Sequence, residues 1–106
     1  MLYLPDILPS SMLYEDFIKS LTTPAPPEGI EDALKALWYD GHHDWHQAHE
    51  IAQHLPSEEG YRVHAYLHRK DGDLRNAHYW YRQAGVEIPE YSLEEEWEEL
   101  VRAYFN

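Results

Sequence analysis

Histidine is the residue type in this chain that most invites a chemical interpretation, because eight of the 106 residues are histidine. Imidazole binds transition metals and moves protons near neutral pH. Five of the eight lie in one short stretch: His42, His43, His46, His49 and His54. A zinc-protease HExxH motif needs two histidines four residues apart on a helix. His54 follows His49 after five residues, which turns its ring about 140° away. This stretch therefore predicts exposed helix histidines and not a metalloprotease.

A better-placed set is formed by four positions, one of which, His49, belongs to the stretch above. His64 and His68 lie four residues apart on one predicted helix, and His49 and His78 occupy equivalent places on two further helices. If the four imidazoles converge, they can bind zinc or a similar divalent ion, with no cysteine available as a ligand. The same residues are more simply explained as partly buried histidines that hydrogen-bond to tyrosine hydroxyls or carboxylates. General acid–base chemistry is a third alternative.

Basic and aromatic side chains offer a second kind of site. Residues 61–85 hold five bases and two acids in a chain whose net charge is −12. Guanidinium groups bind carboxylates through paired hydrogen bonds, and aromatic–arginine clusters are typical of binding hot spots. The candidate residues for binding an anionic partner are Arg62, Tyr66, Arg69, Tyr79, Trp80 and Arg82. The alternatives are that the arginines pair with nearby or C-terminal glutamates and that the aromatics pack against a terminal helix.

The helices that would position these residues are marked by apolar spacing and by capping residues. No segment shows the strict alternation of a strand. A capping box, Ser92-x-x-Glu95, opens the last helix. The predicted helix starts are Ser10 or Ser11, Pro26-Pro27, Asp44, Ser57, Asp73 and Ser92, and the predicted ends include Gly41, Lys70 and Gly85.

An internal repeat sets the expected architecture. The segment Asp44-Trp45-x-x-Ala48-His49 recurs as Asp73-Leu74-x-x-Ala77-His78, at an offset of 29 residues. Repeats of this length predict stacked helix pairs. Gly41 pairs with Gly72 only at an offset of 31, so we expect the first turn to be two residues longer than the second.

Residues 58–89 resemble one tetratricopeptide (TPR) repeat. The matching residues are Tyr61, Ala65, Gly72-Asp73-Leu74, Ala77, Tyr81, Ala84 and Pro89. Residues 29–56 match less fully, through Asp44-Trp45 and Ala48. The resemblance implies a stack of antiparallel helix pairs with peptide binding as its usual role. The stretch from His64 to Gly85 is also similar to small bacterial proteins of no assigned activity.

These patterns predict an all-α, TPR-like antiparallel stack of about five or six helices. We expect a proline-rich N-terminal arm with a short helix over residues 1–27, two helix pairs over 28–89, and an acidic capping helix over 90–106. Such stacks usually need about three repeats to bury their faces. We therefore expect the flanking helices or a second subunit, as in a homodimer, to cover the ends.

Composition limits the functions that fit. A net charge of −12 argues against nucleic acid, and the lack of cysteine gives no sign of secretion. Neither a signal peptide nor a membrane span is recognisable, so the cytoplasm is the expected location. The chain shows no nucleophile–base pair, glycine-rich phosphate loop or dinucleotide fingerprint. We therefore expect a non-enzymatic protein without a cofactor that binds a protein or peptide, the alternative being a metal-binding protein.

Overall fold

The computed structural model describes residues 12–105, which form six α-helices and no strand. The all-α class and the predicted number of about five or six helices are confirmed over this range. Membership of the TPR family remains a prediction. The helices are α1 (Tyr14–Ser20), α2 (Asp32–Gly41), α3 (Trp45–Ala52), α4 (Glu58–Lys70), α5 (Leu74–Ala84) and α6 (Leu93–Arg102).

Side-chain caps start four helices at the residues that the sequence predicts. Asp44, Ser57, Asp73 and Ser92 each accept a hydrogen bond from the backbone N–H three residues ahead. Each bond satisfies one of the N–H groups that a helix start leaves without a partner. At the other end of α5, Gly85 adopts a left-handed conformation with φ 76°, as predicted for a C-cap.

The first two helices begin later than predicted. Ser10 and Ser11 lie outside the described residues, and α1 begins at Tyr14. α2 does not follow Pro26-Pro27 directly but begins at Asp32. Gly29 first turns the chain with φ 83°, which lets the next residue, Ile30, enter the core before the helix starts. The prolines therefore belong to the connecting loop.

The turns that join α2 to α3 and α4 to α5 have the same length. α2 ends at Gly41 and α4 at Lys70, which are 29 residues apart, so the expectation of a longer first turn is wrong. The counterpart of Gly72 is His43, and both adopt a left-handed conformation, with φ 82° and 67°. His43 takes this conformation without the freedom that glycine has, and the sequence comparison therefore misaligned the turn.

The main hydrophobic core lies among α2, α3, α4 and α6, and α1 adds the fully buried Phe17. Two indoles, that of the buried Trp38 and that of the half-buried Trp97, tie the helices together. The Trp38 N–H donates to Ser20 Oγ at 3.0 Å, and the Trp97 N–H donates to the Leu37 carbonyl at 3.0 Å. α6 thus folds back over α2 and α4.

Small residues bring neighbouring helices close. Ala65 and Ala77 are 0% and 1% exposed where α4 meets α5, and Tyr81 lies beside them. Gly60 plays the same part at the α3–α4 connection, because a Cβ there would lie only 2.4 Å from the Leu55 Cβ. Side chains of α3 and α4 are therefore held near one another.

Candidate metal centre

Three of the four candidate metal ligands meet between α3 and α4. His49 comes from α3, and His64 and His68 are presented by successive turns of α4. One ring nitrogen of each lies within 4.8 Å of those of the other two. Within this three-histidine cluster, Nε2 of His49 and Nε2 of His64 are 3.1 Å apart. His64 is buried, and the other two are half-buried.

The spacing of His49 and His64 suits a divalent transition metal. In a tetrahedral site with Zn–N bonds of about 2.0–2.1 Å, two ligating nitrogens lie about 3.3–3.4 Å apart. The 3.1 Å between the His49 and His64 Nε2 atoms is close to this value. Between two neutral rings at that distance, one Nε2–H donates to the other Nε2. An ion bound to both lone pairs would replace that hydrogen bond.

Two tryptophans wall the cluster and fix its rings. Trp45 stacks on His49 with ring centroids 5.0 Å apart, and Trp80 stacks on His64 at 4.4 Å. The Trp45 N–H is itself held by the Leu67 carbonyl at 2.9 Å. The imidazoles are thus positioned by rigid neighbours on three helices. Neither tryptophan was predicted from the sequence to contact these histidines.

Burial favours the neutral, metal-binding form of two of the three rings. Burial, followed by the nearby rings of His49 and His68, lowers the pKa of His64 to about 4. Burial and then His68 also lower the pKa of His49. A metal ion binds the neutral imidazole, so at neutral pH these two rings need lose no proton to become ligands.

His68 has a ring nitrogen whose hydrogen-bonding capacity is unused. Its Nδ1 is buried and makes no hydrogen bond within residues 12–105, and Asp73 Oδ2 lies 3.9 Å away. A metal-ligating histidine usually donates its other N–H to a carboxylate, which fixes the tautomer. Asp73 is therefore suitably placed to orient His68 when its Nε2 faces the cluster.

His78 does not join the cluster, although the repeat suggested it. It is exposed on the outer side of α5, whereas His49 faces α4. The 29-residue repeat gives these two histidines the same place on their own helices, but His49 meets ring side chains of the following helix, α4, whereas His78 is exposed to solvent.

The remaining histidines are used elsewhere or are exposed. His42 stacks on Trp38 and its Nδ1 lies 2.9 Å from the Leu21 carbonyl. His43, His46 and His54 are exposed, as predicted for this stretch, whereas His42 and His49, predicted to be exposed with them, are half-buried.

The two arginines of α4 face α6. Arg69 Nη1 lies 2.7 Å from one oxygen of Glu96, and Arg62 Nε lies 3.6 Å from the other. Arg62 also reaches Glu99 at 3.5 Å, and Arg69 donates to the Tyr91 carbonyl. The guanidinium groups thus pair with C-terminal glutamates of the same chain, which is the alternative left open for them.

Tyr66 is likewise occupied. It is 2% exposed, and its hydroxyl donates to Asp40 at 2.7 Å. Lys70 completes the arrangement with Nζ 2.9 Å from the second Asp40 oxygen. Burial, then Asp40, raises the pKa of the Tyr66 hydroxyl, so it acts as a hydrogen-bond donor.

The candidates on α5 differ from one another in exposure. Tyr79 is 48% exposed and Arg82 is exposed, whereas Trp80 is half-buried between His64 and Tyr61. α5 therefore carries its aromatic side chains both against the three-histidine cluster and towards solvent.

No family model, curated protein or solved structure matches the chain. Among the described residues, no helix is both long and apolar enough to cross a membrane.

Proposed function

We propose that this protein binds a first-row divalent transition metal ion through His49, His64 and His68. The observation that carries the proposal is the convergence of three ring nitrogens within 4.8 Å of one another, on two helices and with stacked indoles behind them. Binding is proposed without an associated reaction.

The donor set favours one class of metal. Neutral imidazole nitrogens suit zinc, copper, nickel and iron, whereas magnesium and calcium require oxygen ligands. Three histidines leave at least one coordination position for water or another ligand. In a chain without cysteine, zinc is the natural first probe.

Binding would also connect two parts of the fold. α3 has only eight residues, and a helix of that length depends on packing for its stability. An ion shared by His49 of α3 and the two histidines of α4 would cross-link these helices. The proposed role is therefore a metal-stabilised helical scaffold.

The carboxylate-binding role sought in Arg62, Tyr66 and Arg69 has less support. Their polar groups are directed at Glu96, Glu99 and Asp40 of the same chain. An incoming carboxylate would have to displace these partners.

Calorimetric titration of untagged, chelator-treated protein with Zn²⁺ tests the proposal. We expect a stoichiometry of one, and we expect His49→Gln and His64→Gln each to weaken binding by at least about tenfold, because removing only an outer-shell partner typically costs 10–100-fold. His54→Gln and His78→Gln are matched controls outside the cluster and should bind as the unmodified chain does. Circular dichroism spectra must show that all variants are helical.

A second readout uses the indoles that wall the site. The Trp45 ring is stacked on the His49 ring, with centroids 5.0 Å apart. A Cu²⁺ or Ni²⁺ ion bound to His49 would therefore lie close to Trp45 and should quench the tryptophan fluorescence. The quenching should shrink in Trp45→Phe. Equal Zn²⁺ affinity in the cluster and control variants, or no binding by the unmodified chain, would refute the proposal.

A further inference from the structure

The outer face of α5 is uncovered over its whole length. Leu74 is 58% exposed and Tyr79 is 48% exposed, and Arg75, His78 and Arg82 lie beside them in solvent. These five residues line one shallow depression. We refer to them as the α5 outer face.

The internal repeat shows what this face corresponds to. At the 29-residue offset, Leu74 is the counterpart of Trp45, and His78 is the counterpart of His49. On α3 both counterparts contact the next helix: the Trp45 N–H donates to the Leu67 carbonyl of α4 at 2.9 Å, and His49 touches α4 through its ring. The surface by which α3 contacts α4 is thus repeated on the outer face of α5, where its side chains are exposed to solvent.

Charge indicates the kind of helix that would pack there. α5 carries Arg75 and Arg82 and no acid between Leu74 and Ala84, within a chain of net charge −12. Within residues 12–105, neither guanidinium has a carboxylate oxygen within 4.0 Å. Seven residues along a helix place the two arginines about 10 Å apart. Two carboxylates spaced i and i+7 on a facing helix would match them.

The size of the face selects a single helix over a second whole copy. The 11 residues of α5 span about 16 Å. One face of a helix this short is too small to bury the roughly 800 Å² per partner that a stable protein–protein interface needs. A second copy would also bring a net charge of −12 against the first. We infer that the α5 outer face binds an acidic amphipathic helix of a partner protein, at the place that α4 takes on α3.

The charged and the apolar residues of the α5 outer face would contact different parts of the partner helix. Arg75 and Arg82 would each bind a carboxylate of the partner through paired hydrogen bonds. Leu74 is next to Arg75, and Tyr79 lies between the two arginines. Both would pack against apolar side chains in the middle of the partner helix. This arrangement uses no residue of the three-histidine cluster.

The test uses a defined probe, a fluorescent alanine-based helical peptide with Glu at i and i+7 and Leu at i+3 and i+4. Its control carries Gln at both Glu positions. By anisotropy against the full chain in EDTA, we expect the Glu peptide to bind and the Gln peptide to bind about tenfold more weakly, since each exposed ion pair contributes modestly. Arg75→Glu with Arg82→Glu should weaken binding of the Glu peptide by at least the same factor. Lys19→Glu, which changes the charge as much as either arginine reversal alone and lies on the exposed part of α1, should not.

Three results would overturn the inference. They are no binding of the Glu peptide, equal binding of the two peptides, and binding that survives the arginine reversal. Sedimentation of the protein alone provides a fourth: self-association that disappears in the Arg75→Glu, Arg82→Glu variant would assign the face to a second copy. Because the assay is run in EDTA, failure of metal binding does not affect its outcome.

Discussion

Replacing Glu96 by glutamine removes one negative charge from the contact between α6 and α4 and leaves the side-chain shape almost unchanged. Glu96 is 0% exposed. One of its oxygens lies 2.7 Å from Arg69 Nη1, and the other accepts a hydrogen bond from the Tyr81 hydroxyl at 2.6 Å. Arg62 Nε lies 3.6 Å away. The carboxylate therefore compensates two guanidiniums and satisfies a buried phenol.

The expected cost follows from these contacts. A hydrogen bond to a charged group contributes about 1.5–3 kcal/mol, and breaking a fully buried ion pair costs about 3–5 kcal/mol. The Arg69 and Arg62 side chains keep 17% and 21% of their surface in contact with solvent, so water compensates part of the loss. We therefore expect Glu96→Gln to lower the free energy of unfolding by about 2–3 kcal/mol. For a domain of this size that corresponds to a fall in melting temperature of roughly 10–20 °C.

Urea and thermal unfolding followed by circular dichroism measure this difference. Glu98→Gln on the same helix is the matched control, because its pair with Arg102 is 2.8 Å long but half exposed on both sides. An exposed pair of this kind contributes less than about 1 kcal/mol. If the two variants unfold within about 0.5 kcal/mol of each other, the buried carboxylate does not hold α6 in place and the reasoning fails.

Three further predictions concern single positions. Because burial lowers the pKa of His64 to about 4, its contribution to stability is present above pH 6.5 and is lost as the pH falls towards 4. Urea unfolding in EDTA should show that this residue lowers the free energy of unfolding by about 2 kcal/mol between pH 7 and pH 5. The His64→Gln variant should lack this loss, and an identical pH dependence in both proteins would contradict the prediction. Gly60→Ala should destabilise by about 1–2 kcal/mol in the same assay despite better helix propensity, since its Cβ would meet Leu55 at 2.4 Å; a stabilised variant would show that the α3–α4 connection adapts. Gly72 and His43 both have positive φ, which glycine adopts more easily than other residues. Gly72→Ala should therefore destabilise the protein by about 1 kcal/mol, whereas His43→Gly should not destabilise it. A melting temperature lower for His43→Gly than for Gly72→Ala would contradict the equivalence of the two turns.

Much of the local structure could be predicted from the sequence. The caps at Asp44, Ser57, Asp73 and Ser92 depend on residues three positions apart, so the sequence contains both partners of each hydrogen bond. The start of α2 was missed because it depends on Ile30 entering a core formed by distant helices.

The candidate site was partly accessible in the same way. The i, i+4 spacing places His64 and His68 on one side of α4 from the sequence alone. The repeat correctly gave His49 and His78 matching positions on their helices, but it could not tell which of them has a neighbouring helix. Trp80, which the sequence offered only as a residue for binding a partner, stacks on His64.

Buried charge was the least predictable feature. Glu96 lies in a run of glutamates, where its own residue type gives no sign that it is enclosed, and Asp40 lies near a helix end where acids are common on surfaces. Glu96 can be buried because Arg69 and Tyr81 contact its carboxylate. Asp40 can be buried because Tyr66 and Lys70 do the same for its carboxylate.

The sequence by itself determined the helical class, most helix boundaries and the repeat that relates α3 to α5, because these depend on spacing and on contacts within a few residues. Only the tertiary structure decided which histidines meet, which acids are buried and which face of α5 stays open. Those outcomes depend on how helices far apart in the chain pack against one another. The same position on two repeated helices, His49 and His78, becomes a candidate metal ligand on one and a solvent-exposed side chain on the other.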